Sequence, residues 1–172
     1  VIANHPTLID VVVLIGLMEQ ANCVVKQALW SNPFTKGPVQ SAGYILNAGS
    51  EQFIQDCVHK LQQDHAASLL IFPEGTRTAK GEQLNEFQRG AANIALRAGV
   101  PIRPVLISCT PSTLTKNEKW YHIPEQPFHI HVKVLDAIQV EDVLDDVTVN
   151  PKNVRQLNQQ LQWFFNQELS LN

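Results

Sequence analysis

The stretch Ser68-Leu69-Leu70-Ile71-Phe72 decides the fold of this chain. Four large apolar residues in a row, without the polar alternation of a half-exposed strand, predict a strand that is buried on both faces. Such a strand needs helices above and below it, and short apolar runs elsewhere in the chain do alternate with longer helical patterns. We therefore predict an α/β fold: a single domain over residues 1–172 with a mixed, mostly parallel β-sheet flanked by helices.

The other elements are predicted from hydrophobic periodicity, caps and helix breakers. Five more strands are expected at residues 1–3, 22–26, 43–46, 102–108 and 128–134, with short helices and turns at 27–40. Helices are expected at 8–19, at 51–64 with Ser50 as the N-cap, and at 88–98 with Gly99 ending the helix. A last helix begins at Asn150-Pro151, and its apolar stripe contains Val154, Leu157, Leu161, Phe164 and Phe165.

Composition and charge exclude several classes of protein. Of the 172 residues, 44% are hydrophobic and 17% are charged, and the net charge is −3, so we predict a globular protein without a nucleic-acid partner. Cys23, Cys57 and Cys109 lie far apart, which favours buried thiols over disulfides or a zinc site. No apolar run reaches the roughly 18 residues of a membrane span. Because Val1 opens the chain within a strand pattern, we expect an upstream segment, which can hold a membrane anchor.

His5 and Asp10, in the stretch Asn4-His5-Pro6-Thr7-Leu8-Ile9-Asp10, have the chemistry of a base and its orienting partner. Pro6 bends the backbone where a strand meets a helix, so that His5 lies at the junction and Asp10 a turn inside the helix. A carboxylate near a helix N-terminus is favoured as an anion. Held by Asp10 through one ring nitrogen, His5 can take a proton on the other. Taken alone, the motif is equally compatible with a solvated helix start.

A second motif, Phe72-Pro73-Glu74-Gly75-Thr76-Arg77, directly continues the buried strand. Gly75 permits a backbone angle that other residues avoid, so the turn can be tight. Glu74, Thr76 and Arg77 then project polar groups from a rigid base, and the Arg77 guanidinium can fork onto phosphate oxygens. The alternative is an ordinary surface turn with a Glu–Arg pair.

Together with Val100-Pro101-Ile102-Arg103-Pro104-Val105, these motifs resemble a known family. Their order and separation are similar to the H-x4-D, F-P-E-G-T-R and V-P-I-x-P-V blocks of the glycerolphosphate/lysophospholipid acyltransferase superfamily, which includes 1-acylglycerol-3-phosphate acyltransferases. The resemblance covers roughly residues 1–108. It implies a fatty acyl transfer from a coenzyme A or acyl-carrier-protein thioester to the hydroxyl of a lysophospholipid or a related lipid, without a cofactor or a metal.

The resemblance also implies residue roles. His5 would be the general base for the acceptor hydroxyl, and Asp10 would orient it. Arg77 would contact an acceptor phosphate, and Pro101 would lie in a buried block that shapes the acyl or acceptor pocket. The full set of implied substrate-binding residues is Glu74, Gly75, Thr76, Arg77 and Pro101. Because the product is a lipid, the implied place of work is a membrane surface, at the cytoplasmic face of a membrane such as the bacterial inner membrane.

The second block departs from the family pattern. Its usual form ends in an acidic residue and an arginine that helps to bind the acceptor's phosphate, whereas residues 43–49 contain no arginine. Lys26 can compensate, although lysine is a less directional phosphate ligand. The acceptor therefore stays open between a glycerophosphate lipid and either a less anionic hydroxyl lipid or an acylated polyene-type lipid precursor. Two other functions also stay open: a non-catalytic lipid-binding or scaffold protein of the same fold, and a thioesterase that uses His5 with water.

Two further features are given structural interpretations. His129 and His131 alternate on one predicted strand, which favours a solvated strand face over a metal site. Trp163, Phe164 and Phe165 overlap the apolar stripe of the last helix, which favours core packing over membrane contact.

Overall fold

Six short strands run through the computed structural model, which describes residues 1–26, 30–33, 36–47, 51–64, 68–118, 121 and 124–171. The strands are Ile2–Ala3 (β1), Ala21–Lys26 (β2), Ile45–Asn47 (β3), Ser68–Leu70 (β4), Pro104–Thr110 (β5) and His129–Val134 (β6). Each lies where the sequence predicts a strand, and the ends differ by one or two residues.

The strands form two three-stranded sheets that meet edge to edge. One has the order β3-β2-β4 and the other the order β1-β5-β6. A parallel bridge between Ile2 and Ile71 joins them. Ile71 donates its N–H to the Val1 carbonyl at 3.0 Å and accepts from the Ala3 N–H at 3.2 Å. All ladders are parallel except β5–β6, as the prediction of a mixed, mostly parallel sheet requires.

Five helices cover the sheets within the described ranges. They are Asp10–Leu17 (α1), Lys36–Ser41 (α2), Glu51–Gln63 (α3), Gly90–Ala98 (α4) and Pro151–Ser170 (α5), with a 3-10 turn at Val140–Asp142. Gly99, at φ 63°, ends α4 as predicted. The predicted N-cap Ser50 lies outside the described residues.

Two helices begin later than predicted because side-chain and loop contacts hold the residues before them. α1 begins at Asp10 rather than residue 8, since the Thr7 N–H is tied to the Asp10 carboxylate at 2.7 Å. Asp10 is therefore the first helical residue and not a full turn inside. α4 begins at Gly90 rather than residue 88, since the Gln88 N–H donates to the Pro73 carbonyl at 2.8 Å.

Neighbouring strand residues enter cores on opposite faces of the sheets. Ile2 and Leu106 pack with α4 and α5, whereas Ala3, Leu70 and Val105 pack with α1. Strands with both faces buried are the expected consequence of their continuous apolar runs. The predicted fold class is confirmed.

The last helix packs through its predicted apolar stripe, and the neighbouring Trp163 does not join it. The Asn150 side chain caps the helix by accepting from the Asn153 N–H at 2.9 Å. Phe165 is fully buried, and Phe164 packs partly against the same core. Trp163 is 60% exposed, so the prediction of core packing is wrong for this residue. Its position, two residues after Leu161 and hence about 200° around the helix, turns it away from the core.

Candidate active site

His5 and Asp10 meet at the junction of β1 and α1. His5 Nδ1 lies 2.9 Å from Asp10 Oδ2, and the side chains are 15% and 0% exposed. The Asp10 carboxylate also accepts from the Thr7 N–H at 2.7 Å and the Thr7 hydroxyl at 2.5 Å. An ionised carboxylate only accepts hydrogen bonds, so in a neutral imidazole this contact places the ring proton on Nδ1 and the lone pair on Nε2. The five-residue spacing therefore brings the two side chains together as the sequence predicts, and their roles as base and orienting partner stay a prediction.

The His5 ring and backbone are held by separate contacts. The ring stacks on Phe72, with centroids 4.3 Å apart. The His5 N–H donates to Glu74 Oε1 at 2.8 Å, and the His5 carbonyl accepts from the Thr78 N–H at 2.7 Å. The second motif thus fixes the backbone of the first.

The buried Asn4 side chain holds the same junction from the other side. Asn4 Nδ2 donates to the Ile107 carbonyl at 2.8 Å, and Asn4 Oδ1 accepts from the Ile107 N–H at 2.7 Å. This pair imitates one step of a strand ladder with a side chain. The contact between β1 and β5 therefore continues through Asn4, the residue before His5.

Glu74 lies beneath the site as a buried hydrogen-bond acceptor. Its carboxylate is 3% exposed and receives the His5 N–H, the Asn85 N–H at 2.8 Å and the Thr78 hydroxyl at 2.9–3.0 Å. Both carboxylate oxygens of Glu74 thus accept hydrogen bonds from protein groups. The substrate contact implied for Glu74 stays a prediction, while the geometry gives this carboxylate a supporting role for His5.

Arg77 is partly buried and makes two contacts through one nitrogen. Its Nη1 donates to the Leu114 carbonyl at 3.0 Å and the Thr115 carbonyl at 2.8 Å. The remaining guanidinium N–H groups have no partner among the described residues. The side chain is therefore positioned by the protein and still offers donors to an anion.

A cavity of about 320 Å³, here called the site cavity, brings the motifs together. His5, Gly75, Thr76 and Arg77 line it, and Glu74 does not. The rest of the wall is mainly apolar and includes Val11, Val25, Phe53, Ile71, Ala91 and Ile94. The volume lies within the range of about 300–1,000 Å³ that is usual for small-ligand sites.

Comparison with known proteins agrees with these motifs. The family model described as Acyltransferase matches residues 1–108, more than half of the chain. This chain belongs to the acyltransferase family. A 1-acyl-sn-glycerol-3-phosphate acyltransferase of Helicobacter pylori is 31% identical over 113 residues, which cover 62% of this chain and 47% of that protein.

Two eukaryotic relatives match over a longer part of the acyltransferase chain. The 1-acyl-sn-glycerol-3-phosphate acyltransferase alpha of Mus musculus is 30% identical over 173 residues, covering 90% of this chain and 55% of that protein. The 1-acyl-sn-glycerol-3-phosphate acyltransferase of Saccharomyces cerevisiae is 31% identical over 152 residues, covering 84% and 48%. The chain thus spans about half the length of the curated relatives it matches.

A solved structure has the same fold. The crystal structure of the 1-acyl-sn-glycerophosphate (LPA) acyltransferase PlsC from Thermotoga maritima matches with a TM-score of 0.65 at 18% identity. The match covers 99% of this chain and 66% of that chain. It extends the likeness beyond residue 108 to the last helix.

Pro101 requires a correction. It is exposed, not buried, because it lies in the loop between Gly99 and β5. It lines a second cavity of about 470 Å³, which also contains Arg103. The two cavities share wall residues Ile71, Ala91 and Ile94, so Pro101 lies across this wall from His5.

Two of the three cysteines, Cys23 and Cys57, are not candidates for a nucleophile. Burial raises the pKa of the Cys23 thiol, which lines the site cavity, to about 11. Burial likewise raises the pKa of Cys57 to about 12. Both therefore remain protonated near neutral pH, and a protonated thiol is a poor nucleophile.

The structure leaves parts of the second block undescribed. Gly43 has a positive φ of 66°, and the next residues lead into β3, but residues 48–50 and the Lys26 side chain lie outside the described part. His129 and His131 are exposed on β6, in keeping with a solvated strand face. Among the described residues, no group of three or more His, Cys, Asp or Glu side chains is arranged to hold a metal ion.

Sequence reasoning missed the supporting residues of the site. Thr7, Thr78 and Asn85 bond to the carboxylates of Asp10 or Glu74, and Asn4 bonds to the Ile107 backbone in β5. Thr7 had a local signal, because a Thr three residues before an Asp at a helix start is the spacing of a capping interaction. Asn4 acts across 103 positions, which a single sequence does not reveal. Thr78 and Asn85 lie 4 and 11 positions from Glu74, in an irregular segment without a helix or strand period to mark the contact.

Proposed function

We propose that this chain transfers an acyl group from a thioester to the hydroxyl of a lysophospholipid, with 1-acylglycerol-3-phosphate as the first candidate acceptor. The observation that carries the proposal is the His5–Asp10 hydrogen bond beside a cavity that also contains Gly75, Thr76 and Arg77. The activity for which the relatives are named supports the same reaction and acceptor.

His5 acts as a general base in this proposal. Its Nε2 takes the proton of the acceptor hydroxyl as that oxygen forms a bond to the thioester carbonyl carbon. The tetrahedral adduct then breaks its carbon–sulfur bond, and the proton passes from His5 to the departing thiolate. Asp10 stabilises the imidazolium between these steps. The acyl group moves directly between substrates, without a covalent acyl-enzyme.

The chemistry needs little beyond this pair, because a thioester is already an activated acyl group. A positioned general base contributes about 100- to 10,000-fold to the rate. Holding both substrates in reactive geometry contributes further, since it replaces a bimolecular encounter.

The cavity wall suggests how the substrates divide the space. The apolar wall formed by residues such as Phe53, Ile71 and Ile94 suits an acyl chain. Arg77 suits the acceptor's anionic group, because its free guanidinium donors match phosphate oxygens. A less anionic acceptor would bind Arg77 more weakly. Comparing the turnover of anionic and less anionic lysolipids distinguishes the two acceptor classes.

The lipid substrate suggests work at a membrane surface, and we propose the cytoplasmic face, where soluble acyl thioesters are available. On α1, Val12 and Leu17 are 70% and 67% exposed, which is compatible with lipid contact. In the described part of the chain, no helix is long and apolar enough to cross a membrane. Co-flotation with anionic vesicles tests surface binding, and recovery of all protein in the lipid-free fraction would contradict it.

The test of the reaction is thiol release combined with mass spectrometry of the lipids. The protein is incubated with acyl-coenzyme A or acyl-carrier protein and a panel of lysophospholipids, including 1-acylglycerol-3-phosphate. A diacyl product with stoichiometric thiol supports the proposal. Free fatty acid as the main product indicates a thioesterase. Lipid binding without turnover for any pair indicates a non-catalytic protein.

The residue roles are tested with matched variants. His5→Ala and Asp10→Asn should each lower kcat by about 100- to 10,000-fold. His59→Ala, which removes an exposed histidine on α3, is the control and should keep full turnover. Circular dichroism checks that all variants fold. Turnover near the wild-type rate in folded His5→Ala would falsify the assignment of the base.

A further inference from the structure

A segment beyond the family-matched region touches both halves of the site. The family model ends at residue 108, whereas residues 113–118, here called the strap, follow it. The Leu114 carbonyl accepts from the Leu8 N–H at 3.0 Å and from Arg77 Nη1 at 3.0 Å. The Thr115 carbonyl accepts from the same Arg77 nitrogen at 2.8 Å. One short piece of backbone thus joins the turn between His5 and Asp10 to the arginine of the second motif.

The strap is itself held by a turn closed by Glu118. The Thr115 N–H donates to Glu118 Oε2 at 2.9 Å, and the Glu118 N–H donates to the Thr115 carbonyl at 3.1 Å. Thr113 and Thr115 are 4% and 5% exposed, so the first half of the strap is packed into the protein, while Lys116 and Asn117 are exposed. Leu114 has a positive φ of 54°, a conformation that non-glycine residues adopt when their surroundings enforce it.

We propose that the strap is a positioning element of the acyltransferase site, with Glu118 as the positioning residue that sets its carbonyls. The inference rests on the proposed acyl transfer. Two carbonyls on one Arg77 nitrogen fix the plane of the guanidinium, which directs its other donors to the acceptor. The Leu114 carbonyl fixes the Leu8 peptide, three residues from the base. A displaced strap therefore disturbs acceptor binding and the catalytic turn together, and leaves the donor site alone.

The test compares Glu118→Ala with two matched variants. Glu118→Ala removes the acceptor of the Thr115 N–H. We expect kcat/KM for the lysophospholipid to fall about ten-fold, because kcat falls and the lysophospholipid KM rises. The KM for acyl-coenzyme A should stay unchanged. Glu118→Gln keeps an oxygen in that place and should restore most of the loss. Lys80→Ala removes only the 3.9 Å ion pair of a 79% exposed lysine with Glu118, and should match the wild type.

Hydrogen exchange at the Leu8 amide gives a readout that is independent of turnover. The Leu8 N–H should exchange faster in Glu118→Ala than in the wild type. Its exchange rate should be unchanged in Glu118→Gln and Lys80→Ala. If the wild type acylates no lipid, the proposed function fails, and the exchange result alone decides the role of the strap. Unchanged exchange in Glu118→Ala, equal losses in Lys80→Ala, or a rise in donor KM alone would each overturn the proposal.

Discussion

Replacing Glu74 with Gln distinguishes a supporting role for this residue from a direct substrate contact. The carboxylate receives the N–H groups of His5 and Asn85 and the hydroxyl of Thr78, all at 2.8–3.0 Å. A Gln side chain of nearly the same shape has one oxygen and one NH₂ group. Whichever way the amide faces, one backbone N–H meets another donor, while the Thr78 hydroxyl can turn to accept.

The cost follows from that single mismatched contact. A hydrogen bond to a charged acceptor contributes about 1.5–3 kcal/mol, and a buried donor left without a partner adds about 1–3 kcal/mol. Removing a buried charge recovers part of this through easier desolvation. We expect the free energy of unfolding to fall by about 3 kcal/mol in Glu74→Gln. In a domain of this size that corresponds to a Tm lower by about 6–12 °C.

Activity should also fall through kcat, because Glu74 Oε1 holds the His5 backbone and an NH₂ group in that place would repel the His5 N–H. Chemical denaturation and initial rates with varied acceptor and donor measure both effects. Glu86→Gln, which removes the same charge from an exposed residue nearby, is the control and should leave both stability and kcat unchanged. A Glu74→Gln protein with wild-type stability and only a raised acceptor KM would refute this reasoning and support direct substrate contact.

Two other predictions concern a glycine and the thiols. Gly75→Ala should lower the free energy of unfolding by about 1–2 kcal/mol, because Gly75 has a φ of 67° and its new Cβ would lie 2.5 Å from the Gln88 amide. Adding Gln88→Ala should recover only the part due to the clash, and full recovery in denaturation measurements would contradict the backbone argument. Iodoacetamide at pH 8 should label half-buried Cys109 before Cys23 and Cys57, whose buried thiols have pKa values of about 11 and 12. Mass spectrometry that finds Cys23 labelled first would contradict this order.

The parts of the molecule that the sequence predicts well are those with local signals. Continuous apolar runs mark the strands, and the helix ended by Gly99 follows from its periodicity and its glycine. The pairing of His5 with Asp10 also depends on a short stretch, where Pro6 prevents a regular helix. Interactions within a few residues determine these features, so they can be predicted from a single sequence.

The parts that could not be predicted depend on contacts between distant residues. Glu74 has the same local appearance whether it faces a substrate or the backbone of His5, 69 positions away. Asn4 bonds to Ile107 across 103 positions, with no periodicity to mark it. The position of Pro101 depends on how Gly99 directs the loop into β5, which a motif alone does not fix.

Several polar residues of the motifs do not line the site cavity, because they hold His5 in place from behind it. Asp10 fixes the ring tautomer, Glu74 fixes the peptide before the ring, and Phe72 limits its rotation. If His5 is the base of the proposed reaction, the entropy of aligning it is thus lost once, on folding, and not at each turnover. Substrate binding in that reaction then has only to align a hydroxyl and a thioester carbonyl with His5. Changes to these buried partners should therefore act on kcat, whereas changes to the apolar wall at Phe53 or Ile94 should act on KM and on the choice of acyl chain.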